Sequence, residues 1–113
     1  MYIVFNRNDP EATEQSIVNK IDSGEYLAED ELEKLVSSSF VVEENKDSDL
    51  GDWTQAVSTI IKVKNRYFEI DWDEGLTEYQ ENYFDEQPYE VIPLTYQKIV
   101  TETKWQPIKE ENN

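Results

Sequence analysis

A run of carboxylates and tyrosines in the second half of the chain holds the residue types most suited to chemistry or binding. Residues 67–97 contain no lysine or arginine, yet nine acidic side chains lie among them. On a β-strand, Glu69 and Asp71 would project from one face about 6.6–7 Å apart, similar to the spacing of successive phosphates along one DNA strand. Such a row can imitate a phosphate backbone, and exposed tyrosines beside it can fill pockets built for bases. The predicted partner-binding residues are Glu69, Asp71, Asp73, Glu74, Glu78, Glu81, Asp85, Glu86, Glu90, Tyr79, Tyr83 and Tyr89.

A calcium site is the first alternative use of these acids. The stretch 71–75 resembles the start of an EF-hand loop. An EF-hand requires glycine at loop position 6 and glutamate at position 12. Counting from Asp71, those places hold Leu76 and Asn82, so the EF-hand interpretation fails.

Two hydrolytic sites are further alternatives. Asp85, followed later by Glu102 and Lys104, matches the Mg²⁺-binding pattern of restriction-type nucleases if the last two lie on a strand. A carboxylate pair could also serve a glycosidase. With 26 acidic residues in the chain, both patterns arise by chance, and a net charge of −16 opposes the binding of DNA. We therefore expect no catalytic residues and no bound metal or cofactor.

Composition restricts the possible functions further. The 113 residues include no cysteine and no histidine, which removes disulfides, cysteine zinc sites, histidine bases and the Ser-His-Asp triad. The net charge of −16 excludes direct binding to nucleic acid or to an anionic membrane surface. No signal peptide or membrane-spanning run is visible, so we expect a cytoplasmic protein.

The N-terminal third is predicted to form a short strand and two helices. Residues 2–5 are apolar enough for a strand. Pro10 suits the first turn of a helix, and an apolar face continues over about 10–22. A second helix is predicted over about 29–37, with Ala28 as a poor cap.

The central part has the two-residue periodicity of strands. One strand is predicted from residue 39, ending at a polar loop over Asn45–Asp52. Residues 57–64 alternate strongly and lead to a predicted hairpin turn at Asn65-Arg66. On the return strand, residues 67–72, Phe68, Ile70 and Trp72 are predicted to face the core while Glu69 and Asp71 face outward.

The C-terminal part is predicted to complete the sheet. After Gly75, the sequence Thr77–Gln80 resembles a capping box and predicts a short inserted helix. Residues 88–93, bounded by prolines, suit an edge of the sheet or a position outside it. Residues 94–105 are predicted as a long strand before a disordered tail at 109–113.

Together these elements predict one α+β domain over residues 1–113. Two N-terminal helices precede an antiparallel sheet of three to five strands, spanning about 39–105. The core is expected to include Trp53 and Trp105.

Several motifs bear on the origin of the chain. They are Gly24-Glu25-Tyr26-Leu27 with Glu31-Leu32, Trp53 with Thr59-Ile60-Ile61, Arg66-Tyr67-Phe68-Glu69-Ile70-Asp71-Trp72, Gly75-Leu76-Thr77-Glu78-Tyr79-Gln80-Glu81-Asn82 and Gln87-Pro88-Tyr89-Glu90-Val91. Through them the chain resembles, over about half its length, a family of short phage and prophage proteins of Gram-positive bacteria. The resemblance implies a phage origin, and small acidic phage proteins often counter host defences.

The function expected from this origin is inhibition of a host defence nuclease. Several type II-A anti-CRISPR proteins are DNA mimics that block the groove where an RNA-guided nuclease reads its PAM with arginines. By analogy, we expect a basic nucleic-acid-binding protein as partner, first a CRISPR effector nuclease, in the cytoplasm of the infected bacterium. The alternative is a phage accessory or structural protein whose acidic face is only solvated.

Overall fold

The chain begins with two helices and continues into an antiparallel sheet. A computed structural model describes residues 2–47 and 53–108. The sheet order is β1-β2-β3-β4, so every strand pairs with its neighbour in sequence. These findings confirm the α+β class and the order of helices before sheet. The elements are α1 Pro10–Asp22, α2 Glu29–Val36, β1 Val41–Lys46, β2 Thr54–Val63, β3 Arg66–Gly75 and β4 Tyr89–Val91.

Helix α1 begins where local chemistry favours it. The Asp9 side chain accepts a hydrogen bond from the backbone N–H of Ala12 at 3.1 Å, and Pro10 occupies the first helical turn. Ile17 and Val18 are buried against the sheet. The predicted bounds of α1 are confirmed.

Helix α2 is started by an internal carboxylate instead of by its cap residue. The methyl side chain of Ala28 cannot accept a capping hydrogen bond, and the Ala28 N–H donates to Glu31 Oε1 at 2.9 Å. The same carboxylate accepts the N–H of Ile3 at 2.7 Å and the ammonium of Lys20 at 2.7 and 2.9 Å. Glu31 therefore joins three segments, and the predicted strand over residues 2–5 is wrong because a side chain, not a strand, holds that backbone.

The core lies between the helices and the inner face of the sheet. Phe68, Ile70 and Trp72 alternate into it, as predicted. Trp72 stacks on Phe84 with a 5.0 Å centroid distance, and its indole N–H donates to Thr59 Oγ1 at 3.0 Å. The buried apolar residues are Ile3, Ile17, Val18, Leu27, Leu32, Leu35, Val57, Ile61, Val63, Phe68, Ile70, Trp72 and Phe84.

The hairpin between β2 and β3 turns one residue earlier than predicted. Lys64 and Asn65 have φ values of 50° and 62°, and Val63 pairs with Arg66 across the turn. A two-residue turn of this kind needs positive φ at both central positions. Arg66 is thus the first residue of β3, not part of the turn.

The predicted inserted helix after β3 is wrong. The N–H of Gln80 donates to the carbonyl of Thr77 at 3.1 Å, which makes a single turn only. The chain then pairs back on the sheet, since Asp73 and Tyr83 exchange two backbone hydrogen bonds of 2.9 and 2.8 Å. A Cβ at Gly75 would lie 2.0 Å from the Gln80 carbonyl oxygen, so the close turn depends on glycine there.

The predicted strand over 94–105 is also wrong, because the sheet ends at Val91. Residues 92–108, here called the C-terminal arm, are exposed and have no regular secondary structure. Trp105 is 91% exposed and Trp53 is 61% exposed, so neither belongs to the core as predicted. The radius of gyration is 21.6 Å, against about 13 Å for a compact chain of 100 residues.

Two predicted loops overlap residues outside the described ranges. Asn45 and Lys46 belong to β1, Asp47 follows the strand, and residues 48–52 of the predicted polar loop lie outside the described residues. The predicted tail at 109–113 does so as well. No helix within residues 2–47 and 53–108 has the length and apolar character needed to cross a membrane.

Candidate protein-interaction surface

The face of the sheet turned away from the helices carries a groove bordered by carboxylates. Glu69, Asp71 and Asp73 alternate with the buried side chains of β3 and so project from this outer face. Their partners across the pairing with β2 include the small residues Ser58 and Ala56, which leave room for a groove of about 410 Å³. We call it the acidic groove; its lining residues are Ala56, Val57, Ser58, Glu69, Asp71, Trp72, Asp73, Asp85 and Glu86.

At one end of the acidic groove, two carboxylates converge on one tyrosine. Tyr89 is the cross-strand neighbour of Glu69, and its hydroxyl donates to Glu69 Oε2 and is 2.9 Å from Asp71 Oδ2. Ser58 Oγ donates to Asp71 Oδ1 at 3.0 Å. Carboxylates that share one hydroxyl lie closer than the spacing of about 6.6–7 Å expected along an ideal strand. Glu69 and Asp71 therefore form one compact pair of carboxylates, and the predicted phosphate-like spacing between these two is not kept.

This closeness changes the acidity of the groups. The pKa of Glu69 is raised, first by its hydrogen bond with the Asp71 carboxyl, while the Tyr89 hydroxyl acts in the opposite direction. Glu43, on β1, adds repulsion that raises the pKa of Glu69 further. The pKa of the Tyr89 hydroxyl is raised, first by its bond to Glu69. Ionisation of the Glu69 carboxyl is therefore less favourable than ionisation of an isolated glutamate.

Two of the predicted binding acids are instead engaged in ion pairs on the helix side. Glu90 pairs with Arg66 at 2.9 Å, and Arg66 also holds Asp22 at 2.8 Å. These bonds lower the pKa of Glu90, with the Arg66 hydrogen bond as the main cause. Glu74 pairs with Lys46 of β1 at 3.1 Å.

The remaining predicted residues lie in or near an exposed loop. Glu78, Tyr79 and Glu81 belong to residues 76–82, and Tyr79 is 85% exposed. The loop is fastened by the Asn82 side chain, which accepts the N–H of Gly75 at 3.0 Å. Tyr83, at its end, is 55% exposed. The structure thus gathers five of the nine predicted acids in the groove, which are Glu69, Asp71, Asp73, Asp85 and Glu86.

Sequence reasoning missed the residues that position this surface. Gln87 accepts the N–H of Leu27 at 2.8 Å and donates to its carbonyl at 3.1 Å, so it fixes the segment that carries Asp85 and Glu86. The two residues are 60 positions apart, and only the motif beginning at Gln87 marked it in the sequence. Lys46 was missed because a bulge between Val41 and Glu43 shifts the register that aligns it with Glu74.

The metal-dependent alternatives gain no geometric support. Within residues 2–47 and 53–108, no group of three or more acidic side chains is arranged to hold a metal ion. Glu102 and Lys104 lie in the exposed arm, whereas the nuclease pattern required them on a strand.

No protein-family model, no curated protein and no solved structure matches this chain.

Proposed function

We propose that this chain is a phage-encoded acidic inhibitor that mimics DNA and occupies the basic nucleic-acid channel of a host defence nuclease. A type II CRISPR effector is our first choice of target. Binding is stoichiometric and involves no turnover and no cofactor. The acidic groove would meet the arginines and lysines that normally hold DNA phosphates.

The observation that carries this proposal is the distribution of the charges. No lysine or arginine is among the described residues that line the acidic groove, whereas Glu74, Glu90 and Asp22 on the helix side are in ion pairs. The repulsion among the groove carboxylates, seen in the raised pKa of Glu69, would be relieved by a cationic partner.

The exposed loop supplies the second part of the surface. Tyr79 and Tyr83 project beside Glu78 and Glu81 and can serve as rigid aromatic anchors. Tyr89 has a different role, because its hydroxyl is already bonded to the groove carboxylates. Its contribution is to hold their geometry.

Salt dependence tests the electrostatic part of the proposal. A purified, guide-loaded type II effector is titrated with the chain, and displacement of its target duplex is measured. We expect fast association and an affinity that falls steeply between about 50 and 300 mM salt. An affinity that stays constant over this range would exclude electrostatic mimicry.

Charge reversal tests the location of the surface. Glu69→Lys combined with Asp71→Lys should abolish inhibition while circular dichroism stays native. The matched control is Asp30→Lys with Glu33→Lys, two exposed acids of α2, which changes net charge equally on the opposite side. Equal losses from both pairs would indicate a general charge effect and would remove the groove from the proposal.

A second candidate is a phage accessory or structural protein, and the exposed C-terminal arm favours it. An extended segment outside a folded body can bind the exposed sheet edge of another protein. In that case the groove variant would leave binding to every nuclease unchanged, and the chain would co-purify with phage particle components instead.

A further inference from the structure

The C-terminal arm exposes several large apolar side chains. Ile99, Trp105 and Ile108 are 91%, 91% and 92% exposed, and Leu94 is 82% exposed. Contiguous exposed apolar side chains of this kind mark interaction sites.

The arm has the sequence of a β-strand but no strand beside it. Between Pro93 and Pro107 it is rich in threonine, isoleucine, valine and aromatic residues, the types favoured in sheets. In the structure, residues 94–105 pair with no strand of their own chain. A strand-forming segment without an internal neighbour is suited to pairing with the sheet edge of another chain.

The same chain offers such an edge at β1. Strand order places β1 at one end of the sheet and β4, from which the arm departs, at the other. Asp47 donates its N–H to the Ala56 carbonyl at 2.9 Å, on the β2 side. Because antiparallel strands alternate the direction of their backbone groups, Glu44 and Lys46 present their N–H groups outward.

Apolar surface and charge both favour a second copy as the occupant. Val42, Ile60 and Tyr67 line a groove of about 550 Å³ on the outer face, next to β1 and also next to the root of the arm. The arm itself carries Lys98, Lys104 and one glutamate, so it is weakly positive. The described residues before it carry twenty-one acids against seven bases.

We propose that two copies exchange their C-terminal arms, each arm adding a fifth strand beside β1 of the other copy. Each chain supplies both an arm and a receiving edge. Two copies related by a two-fold axis can therefore form a closed dimer in which both arms and both β1 edges are paired. This dimer uses the arm and β1, and it does not depend on the inhibitor proposal.

Sedimentation velocity of the full chain between about 1 and 200 µM tests the exchange. We expect the mass to rise to twice 13.4 kDa with concentration. Thr101→Pro removes one backbone N–H from the middle of the exposed arm and should raise the dimer dissociation constant at least about tenfold. Thr101→Ala keeps that N–H and should leave the constant within about threefold of the wild type.

Hydrogen exchange locates the contact. The amides of Glu44 and Lys46 should be protected at high concentration and lose protection on dilution or in Thr101→Pro. A chain that stays monomeric at 200 µM overturns the proposal, including the case in which these amides are protected because the arm folds onto its own sheet. A dimer that is unchanged in Thr101→Pro overturns it as well, since its interface would then lie elsewhere.

Discussion

Two glutamates on opposite sides of the sheet have opposite pKa shifts because their neighbours differ. Glu31, on the helix side, is 2% exposed and holds Lys20 and two backbone N–H groups. Burial alone would raise its pKa, but these bonds outweigh burial and lower it. Glu69, on the outer face, has a raised pKa, first because of its hydrogen bond with the Asp71 carboxyl, which outweighs the opposite effect of the Tyr89 hydroxyl. Glu31 therefore ionises beside a cation and two hydrogen-bond donors, whereas Glu69 ionises beside another carboxylate.

The largest loss of folding stability should come from breaking the buried ion pair between Glu31 and Lys20. Glu31→Gln leaves the Lys20 ammonium, which is 8% exposed, without its counter-charge. Loss of one member of a buried ion pair costs about 3–5 kcal/mol. Urea denaturation at pH 7 should show this loss. Glu33→Gln on the exposed face of the same helix should stay within about 0.5 kcal/mol of the wild type. A loss below about 1 kcal/mol in Glu31→Gln would mean that Lys20 finds another partner.

Lowering the pH should reduce the stability that Glu31 contributes, because the pKa of Glu31 is lowered in the folded protein. A lowered folded pKa gives stability that is fully present above the ordinary value of 4.5 and is lost as pH falls through the folded pKa. We therefore expect the difference between wild type and Glu31→Gln to shrink when denaturation is repeated below about pH 4. A difference that is independent of pH would contradict the assignment of the effect to the carboxylate charge.

A second comparison uses the two described glycines. Gly75, at the end of β3, would place a Cβ 2.0 Å from a backbone oxygen, so Gly75→Ala must displace the exposed loop and should cost about 2–3 kcal/mol. Gly24, after α1, has open space around it but a φ of 73°. Gly24→Ala should cost only about 1–2 kcal/mol, from the backbone conformation. Thermal denaturation of both variants measures the difference, and the reverse order would show that the loop yields easily.

Periodicity and local chemistry were sufficient to predict helices α1 and α2, the core face of β3 and the class of the fold. Ile17 and Val18 are followed by Ile21 at helical spacing, and Phe68, Ile70 and Trp72 alternate at strand spacing. The arm was mispredicted because Ile99 and Trp105 have strand propensity, and propensity does not specify where the neighbouring strand comes from. A local pattern indicates that a segment can form a strand, but it does not indicate whether another strand lies beside it.

The site was predictable only in part for a related reason. Alternation placed Glu69 and Asp71 on one face, but it could not place Tyr89 between them. That contact depends on the pairing of β4 with β3, which brings residues 20 positions apart together. The ion pair of Glu74 with Lys46 likewise spans 28 positions and follows a bulge. The register between distant strands, and not residue type, determines that Glu74 and Glu90 form ion pairs while Glu69 and Asp71 contact a tyrosine.

Tyr89→Phe tests whether the tyrosine holds the carboxylate pair. Removing the hydroxyl takes away its bonds to Glu69 and Asp71. We expect a loss of about 1 kcal/mol in denaturation at pH 7, since the site is partly exposed to water. The pKa of Glu69, followed by NMR titration, should rise further because the Tyr89 hydroxyl lowers it in the wild type. Tyr79→Phe, at a freely exposed hydroxyl, is the control and should change neither quantity.

The smallest effect, and the one with opposite sign, is expected at Glu69. Glu69→Gln keeps an oxygen for the Tyr89 hydroxyl but removes one of two repelling charges, so it should stabilise the fold at pH 7 by a few tenths to about 1 kcal/mol. A raised folded pKa means that the penalty is absent at low pH and appears as pH rises through that pKa. The gain should therefore vanish when denaturation is repeated at pH 3–4. If the same variant also weakens binding to a basic partner, then this carboxylate reduces stability while it supports recognition. A destabilised Glu69→Gln would instead place Glu69 with Glu31 among the acids that hold the fold together.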